Sequence, residues 1–284
     1  MSTVAIRHPD DVDHLRSRDF ARLAAFIHDV AGIKLPAGKT TMLEGRLRRR
    51  VRATGTGTIA DYCAWFFEDG HHDGEIVHLI NAVTTNKTDF FREPRHFDHL
   101  RDVILPTLHA AGRHRIRAWS AACSTGAEPY TMAMVIDAFA AQHGGPDYSI
   151  LATDLDTEVL EVAQRGIYPA EQVVPVPPLL RQRYVLAAKS ATRNDVRIVP
   201  ALRAAVSFAR HNLMADQYEV GEPLDLIFCR NVLIYFDKPT QEQVVRRLVD
   251  CLRPGGHLFL GHSESIAGID LPLIPVANTV FQRT

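Results

Sequence analysis

The sequence carries almost no excess charge: 32 Lys and Arg stand against 33 Asp and Glu, a formal net of −1 over 284 residues. A chain coated for nucleic acid is strongly basic, so nucleic acid is not an expected partner. No apolar run approaches the roughly 18–20 residues that cross a bilayer; the stretch 226–236 is broken by Arg230 and Asn231. The first residues lack the charged-then-apolar pattern of a secretory leader, which makes a cytoplasmic protein the expectation. Cys63, Cys123, Cys229 and Cys251 lie far apart, with no CxxC or Cys/His spacing that closes a zinc site. Free thiols in a reducing compartment follow. The 14 histidines show no HExxH or comparable pattern, and His71-His72 fall in a turn between Gly70 and Gly74. They read as surface residues, and no metal is expected.

What is present is an ordinary globular composition, 46% hydrophobic and 23% charged, which excludes disordered, collagenous and coiled-coil chains. The length points to two domains or one large α/β unit. Residues 1–85 read as an all-helical domain: segments near 19–31, 39–53, 59–68 and 74–83 carry apolar residues at three- and four-residue spacing, as Leu23, Phe26, Ile27 and Val30 show. Glycines punctuate them. After about residue 114 short apolar runs at 116–120, 148–153, 206–209, 224–229 and 257–260 alternate with helical segments at 128–142, 157–165 and 239–252, the last ending at the turn Arg253-Pro254-Gly255-Gly256. This alternation predicts an α/β doubly wound parallel sheet over 86–284, with ligands bound beyond the carboxyl ends of the strands. Residues 166–204, rich in proline, read as an inserted β-subdomain in which 183–186 and 196–199 pair as short antiparallel strands.

The strand ends are where the candidate site lies. The first strand runs into Ala121-Ala122-Cys123-Ser124-Thr125-Gly126-Ala127-Glu128 and then a helix. Small residues permit close approach of a ligand, but a single glycine is a poor match to GxGxxG and argues for a ligand without phosphates. Tight strand-to-helix packing explains such a loop equally well. The second strand ends at Asp154, which suits the hydroxyls of an adenosine ribose; Asp154 and Asp156 also suit a helix N-cap. Taken together, loop and acid favour a nucleoside. The third strand leads to His211-Asn212-Leu213 and the fourth to Arg230-Asn231. A polar pair there must find partners or cost stability, whether from a ligand or from neighbouring backbone.

At this point the chain resembles a known family. Asn86-Lys87-Thr88-Asp89-Phe90-Phe91-Arg92, Trp119-Ser120 running on through Gly126 to Tyr130, Ala152-Thr153-Asp154-Leu155-Asp156, Asn212-Leu213, the run from Ile227 to Phe236, and Gly261-His262-Ser263-Glu264 fall in the order of the CheR-type chemoreceptor glutamate methyltransferases. Each stretch alone is weak evidence; six in register are specific, and they span both domains. The resemblance implies an all-α N-terminal domain and a Rossmann-like domain dependent on S-adenosyl-L-methionine (SAM), releasing S-adenosyl-L-homocysteine. It places cofactor contacts at Asn86, Thr88, Arg92, Glu128, Asp154, Asn212, Leu213, Arg230 and Asn231, and Tyr235 near the sulfonium. Arg92 is then expected to hold a carboxylate and Tyr235 to fix the sulfonium or the acceptor oxygen. The expected partner is the cytoplasmic helical bundle of a methyl-accepting chemoreceptor, met by a monomer.

Such a reaction needs no general base, because a glutamate carboxylate, with a pKa near 4.3, is already ionised at neutral pH. Docking on an acidic bundle suits the run Arg46-Leu47-Arg48-Arg49-Arg50, where Leu43, Leu47 and Val51 share one stripe and Lys39, Arg46, Arg49 and Arg50 a neighbouring face. A solvated helix face is the plain alternative. Residues 1–85 hold eleven basic and eleven acidic residues, so the patch is local. The stretch 187–195 lacks the glycine of family members that also bind a receptor's C-terminal peptide, which favours peptide-independent recognition. Three rival readings remain: a SAM methyltransferase of the same fold acting on another protein or small molecule, a non-catalytic SAM-sensing module, and a hydrolase argued from Gly261-His262-Ser263-Glu264-Ser265. The last lacks the second glycine of G-x-S-x-G.

Overall fold

The computed structural model describes residues 13–190 and 192–284. Residues 1–12, over which the leader reading runs, and Ala191, within the glycine-free stretch 187–195, lie outside the described residues. The chain divides into two compact units between Thr84 and Thr85.

The first unit is helical: α1 (Ser17–Ala31), α2 (Thr40–Thr54), α3 (Ile59–Phe67) and α4 (His72–Val83). Helix α1 buries Phe20, Leu23, Ile27 and Ala31, one helical stripe, and stops where Gly32 turns left-handed and donates to the His28 carbonyl at 2.8 Å. Helix α2 buries Leu43, Leu47 and Val51, the stripe its spacing predicts. Thr58 caps α3 by accepting from the Asp61 amide. A buried carboxylate ties three helices together: Glu75 accepts from the Tyr62 hydroxyl at 2.9 Å and from Arg50 at 2.7 and 2.8 Å.

The second unit opens with α5 (Pro94–His99), a π-helical turn over Leu100–Ile104 and α6 (Leu105–Ala110). There follow β1 (Arg115–Ser120), α7 (Ala127–His143), β2 (Asp147–Asp154), α8 (Thr157–Arg165), β3 (Ile167–Pro169), α9 (Pro178–Tyr184), β4 (Val185–Ala187), β5 (Asp195–Ile198) and α10 (Pro200–Ala205). The chain finishes with β6 (Val206–Arg210), β7 (Leu224–Cys229), α11 (Lys238–Cys251), β8 (Leu252–Leu260), β9 (Leu273–Ala277) and β10 (Val280–Arg283). Seven strands form one sheet in the order β6-β2-β1-β7-β8-β10-β9, parallel from β6 to β8, with β10 antiparallel to both β8 and β9. β3, β5 and β4 make a separate antiparallel sheet. All six residues of β7 are buried, as a central strand covered on both faces requires. The strand order reverses beside β1, so the crevice at the carboxyl ends of β1, β2 and β7 is the switch point where open α/β sheets bind ligands.

The structure differs from the sequence reading in three places. The turn over 253–256 is part of β8: the register shifts between Leu224 and Leu226, opposite Leu252 and His257, so the extra residues bulge without ending the strand. Pro254 and Gly255 carry strong turn signals that the parallel pairing overrides. Residues 183–184 belong to α9, since Pro178 starts a helix as easily as it breaks one. The final hairpin β9–β10, with Pro275 in an edge strand, is not legible from alternation.

Gly126 deserves its place at the start of α7. Its φ is +90°, and an added Cβ would lie 2.8 Å from the Ala163 Cβ and 3.0 Å from the Tyr168 hydroxyl. Gly126→Ala is expected to cost on the order of 3 kcal/mol from backbone strain and overpacking, seen as a melting temperature lower by roughly 10 °C. An unchanged melt would show that the loop relaxes freely.

Candidate active site

The switch-point crevice includes three loops with unusual backbone, before α5, after β1 and after β7. Four of the five non-glycine residues with positive φ among those described lie in them: Phe91 (54°), Glu93 (56°), Ser124 (50°) and Asn231 (60°). Each such residue costs of order 1–3 kcal/mol, and strain of this kind gathers where function demands it.

The loop after β1 is pinned on both sides. The Ala121 amide donates to the Phe228 carbonyl of β7 and the Cys123 amide to the Thr153 carbonyl of β2. Ser124 then links three parts of the crevice: its amide donates to Asp154 Oδ2 at 2.8 Å and its hydroxyl to the Asn86 carbonyl at 2.8 Å. Asp154 is buried, and its Oδ1 accepts from the Asp156 amide at 3.0 Å. The N-cap of α8 is Asp156, which accepts from the Glu158 and Val159 amides. Asp154 is therefore not the helix cap. Asn86 donates to Asp156 Oδ2 at 2.6 Å. Burial raises the Asp154 carboxyl above its ordinary range, against the opposing pull of the backbone amides it accepts from.

The second half of the crevice is an ionic cluster. Arg230, at the end of β7, has a side chain only 1% exposed. It donates to Glu128 Oε2 at 3.0 Å, to Glu93 Oε2 at 2.9 Å and to the Arg92 carbonyl at 2.5 Å. Ser120 donates to the other Glu128 oxygen at 2.7 Å. Asn231 Nδ2 and the His262 amide both donate to Glu93 Oε1 at 3.2 Å. Glu264 accepts three backbone amides, from Asn231 at 2.9 Å, Leu233 at 2.7 Å and Gly261 at 2.5 Å, and so latches the loop after β7 to the loop after β8.

One guanidinium thus serves two carboxylates, and they respond differently. Burial would raise the Glu93 carboxyl, but the hydrogen bonds from Arg230 and Asn231 outweigh it and hold it at about 2. Glu128 is deeper, and there burial wins over Arg230 and Ser120, leaving its carboxyl above the ordinary range.

Of the other residues singled out in the sequence, Asn212 accepts from the Met214 amide at 3.0 Å in the turn after β6, and Leu213 is buried beside it in the chain. Tyr235 is half-buried in the 3-10 turn over Leu233–Tyr235, and Thr88 is half-buried in the loop before α5. Arg92 donates to the Lys87 carbonyl at 2.9 Å and forms no ion pair among the described residues. Glu93, its neighbour in the chain, is committed to Arg230. Sequence reasoning gave no role to Glu93 and Glu264, although the first adjoins Arg92 and the second sits in a quoted motif. Their partners are 137 and 33 residues away. The stretch 261–265 leads into turns rather than a helix, so it is no nucleophile elbow.

In the helical unit the basic patch resolves into two kinds of residue. Arg46 donates to the carbonyls of Ala82, Val83 and Thr84 at the end of α4, and Arg50 is paired with buried Glu75. Both are half-buried and help to hold the unit together. Lys39 and Arg49 are exposed.

Comparison with known proteins matches residues 86–280 to a family model described as the CheR methyltransferase, SAM binding domain, and residues 18–84 to the CheR methyltransferase, all-alpha domain. The chain belongs to the CheR methyltransferase family. It is 41% identical over 271 residues to a chemotaxis protein methyltransferase of Klebsiella aerogenes, covering 95% of this chain and 91% of that one. It is 41% identical to the Escherichia coli protein of the same name, covering 94% and 91%, and 39% identical to chemotaxis protein methyltransferase 2 of Pseudomonas aeruginosa, covering 94% of each. This CheR chain is a SAM-dependent methyltransferase with an all-α domain ahead of a Rossmann-like one. No helix among its described residues is long and apolar enough to cross a membrane.

The raised Glu128 carboxyl has a consequence for cofactor binding. An α-ammonium group seated against Glu128 favours its ionised form, so SAM affinity is expected to rise with pH through the Glu128 titration and to fall below it. Calorimetry in buffers of different ionisation enthalpy detects the proton released on binding below that range. A pH-independent affinity, with no proton released, would place the ammonium elsewhere.

Proposed function

We propose that this chain transfers the methyl group of SAM to glutamate side chains on the cytoplasmic helical bundle of a chemoreceptor, giving glutamate methyl esters for sensory adaptation. The observation that carries the reading is the pair of buried carboxylates at the ends of β1 and β2. A carboxylate offers about four acceptor positions. Asp154 spends part of this capacity on backbone amides, those of Ser124 and Asp156 among them, and offers the rest to a vicinal ribose diol. Glu128, one strand over, matches the ammonium of the methionine part. Small residues between them suit a ligand without a pyrophosphate.

The transfer is an in-line displacement. A glutamate oxygen forms a bond to the methyl carbon as the sulfur–methyl bond breaks, its electron pair passing to sulfur and leaving neutral S-adenosyl-L-homocysteine. The nucleophile is ionised before it arrives, so the chain's work is alignment and exclusion of water, which supplies on the order of 7–11 kcal/mol in well-oriented systems. Arg92, with no carboxylate partner among the described residues, is the group offered to a carboxylate of substrate or cofactor through bidentate hydrogen bonds. Tyr235 is assigned to the sulfonium or the acceptor oxygen. Incubation with SAM and a receptor cytoplasmic fragment is expected to place methyl groups on glutamates, mapped by peptide mass spectrometry. Methylation of lysines alone, or SAM binding without transfer, would favour another acceptor or a sensing module.

Docking by the helical unit rests on Lys39 and Arg49. Reversing both to Glu is expected to raise KM for the receptor fragment several-fold, less so at high salt, with melting temperature and SAM affinity unchanged. A loss of SAM affinity would show that the face is structural.

A further inference from the structure

Beside the ionic cluster stands a group of side chains that methyl transfer does not use. His96 lies on α5 and is buried, 2% exposed, which corrects its reading as a surface histidine. Its Nε2 faces the Asn278 carbonyl at 3.3 Å and Thr279 Oγ1 at 3.0 Å. A carbonyl only accepts, so in the neutral ring Nε2 carries the proton and Nδ1 is a bare lone pair. That Nδ1 is buried with no hydrogen-bond partner, and it points at Glu93 Oε2, 3.5 Å away. His262 Nε2 lies 3.9 Å from the same oxygen, and the two imidazole rings meet edge to face with centroids 5.0 Å apart. The three donor atoms all lie within 4.8 Å of one another.

A lone pair aimed at a carboxylate oxygen in a buried place is unfavourable unless a cation sits between them. We propose that Glu93, His96 and His262 form a binding site for a divalent transition-metal ion of the zinc class. Two imidazoles and one carboxylate are a donor set suited to zinc, cobalt or iron(II), and three protein ligands leave a position for water. Around a tetrahedral zinc with bonds of 2.0–2.1 Å, donors stand about 3.4 Å apart. The His96–Glu93 separation already has that value. His262 belongs to the loop after β8 and its side chain is 40% exposed, so it is the ligand able to close the remaining distance. The contact from His96 to the Asn278 carbonyl is the outer hydrogen bond that fixes a ligating imidazole's tautomer. Glu93, Glu128 and Glu264 supply negative charge around the site, while Arg230 shares the Glu93 oxygen with the ion.

The test uses the full chain, stripped with a chelator that is then removed. Titration with zinc chloride alone, followed by calorimetry, is expected to show one site of micromolar affinity or better. Cobalt(II) in its place is expected to give the intense visible bands of a four-coordinate ion. His262→Ala removes an exposed side chain, and is expected to weaken zinc at least tenfold with an unchanged melting temperature; His96→Gln is expected to weaken it as much. Affinity no tighter than millimolar, or zinc binding unaltered in His262→Ala, would overturn the assignment. So would loss of binding in His143→Ala, which would put the ion at the His109–His143 pair, whose ring centroids are 5.9 Å apart.

Discussion

Arg230→Met is expected to lower the free energy of unfolding by about 3–5 kcal/mol, the cost of leaving a buried charge without its partner. The substitution keeps the bulk of the side chain and removes the guanidinium that pairs with both Glu93 and Glu128. The sign of its pH dependence distinguishes this cause from lost packing. In the native chain the Glu93 carboxyl is held at about 2, below its unfolded value near 4.3, so its contribution is complete above pH 4.3 and is lost as pH falls towards 2. Without Arg230 both carboxyls rise, and the variant's deficit is greatest at neutral and higher pH and shrinks as acid protonates them. Adding Glu93→Gln to the variant recovers part of the loss. Denaturant unfolding at a series of pH values reads both effects; a deficit that is constant with pH would assign the loss to packing.

The second large effect is on cofactor binding. If Asp154 holds the ribose diol as proposed, Asp154→Ala takes away charge-assisted hydrogen bonds worth about 1.5–3 kcal/mol each and is expected to weaken SAM by on the order of 10²–10⁴-fold. The same loss is expected for S-adenosyl-L-homocysteine, since the diol is common to both. The variant also frees the Ser124 amide, so Asp154→Asn, which keeps one acceptor oxygen, is the companion. It is expected to bind with intermediate affinity. A loss below tenfold in Asp154→Ala, measured on folded protein, would remove Asp154 from the ribose.

Much of the architecture was legible because parallel strands buried on both faces leave continuous apolar runs, and β7 appears at the residues its run predicts. The stretch α5–α6 and the β9–β10 hairpin were not, because a short helix opened by proline and an edge hairpin leave little periodicity. The crevice was legible as a set of strand ends, and the cofactor contacts that the resemblance names within it are proposals. Its energetics were not legible. That Asp156 rather than Asp154 caps α8, that Arg230 bridges two carboxylates, and that Glu264 latches two loops depend on partners far apart in sequence. Arg46 and Arg50 make the same point in the helical unit: an arginine run reads as a charged face until the carbonyls of 82–84 and the Glu75 carboxylate come into reach. His96 was missed for a related reason, since nothing local distinguishes a buried imidazole from an exposed one.

The reading of this CheR chain as a carboxyl methyltransferase is tested most directly by the stability of its product. Label transferred from methyl-tritiated SAM to a chemoreceptor cytoplasmic fragment is expected to leave as volatile methanol in mild alkali, because a glutamate methyl ester is base-labile. Label that remains on the fragment after alkali would mean an N- or C-methyl product and would contradict it.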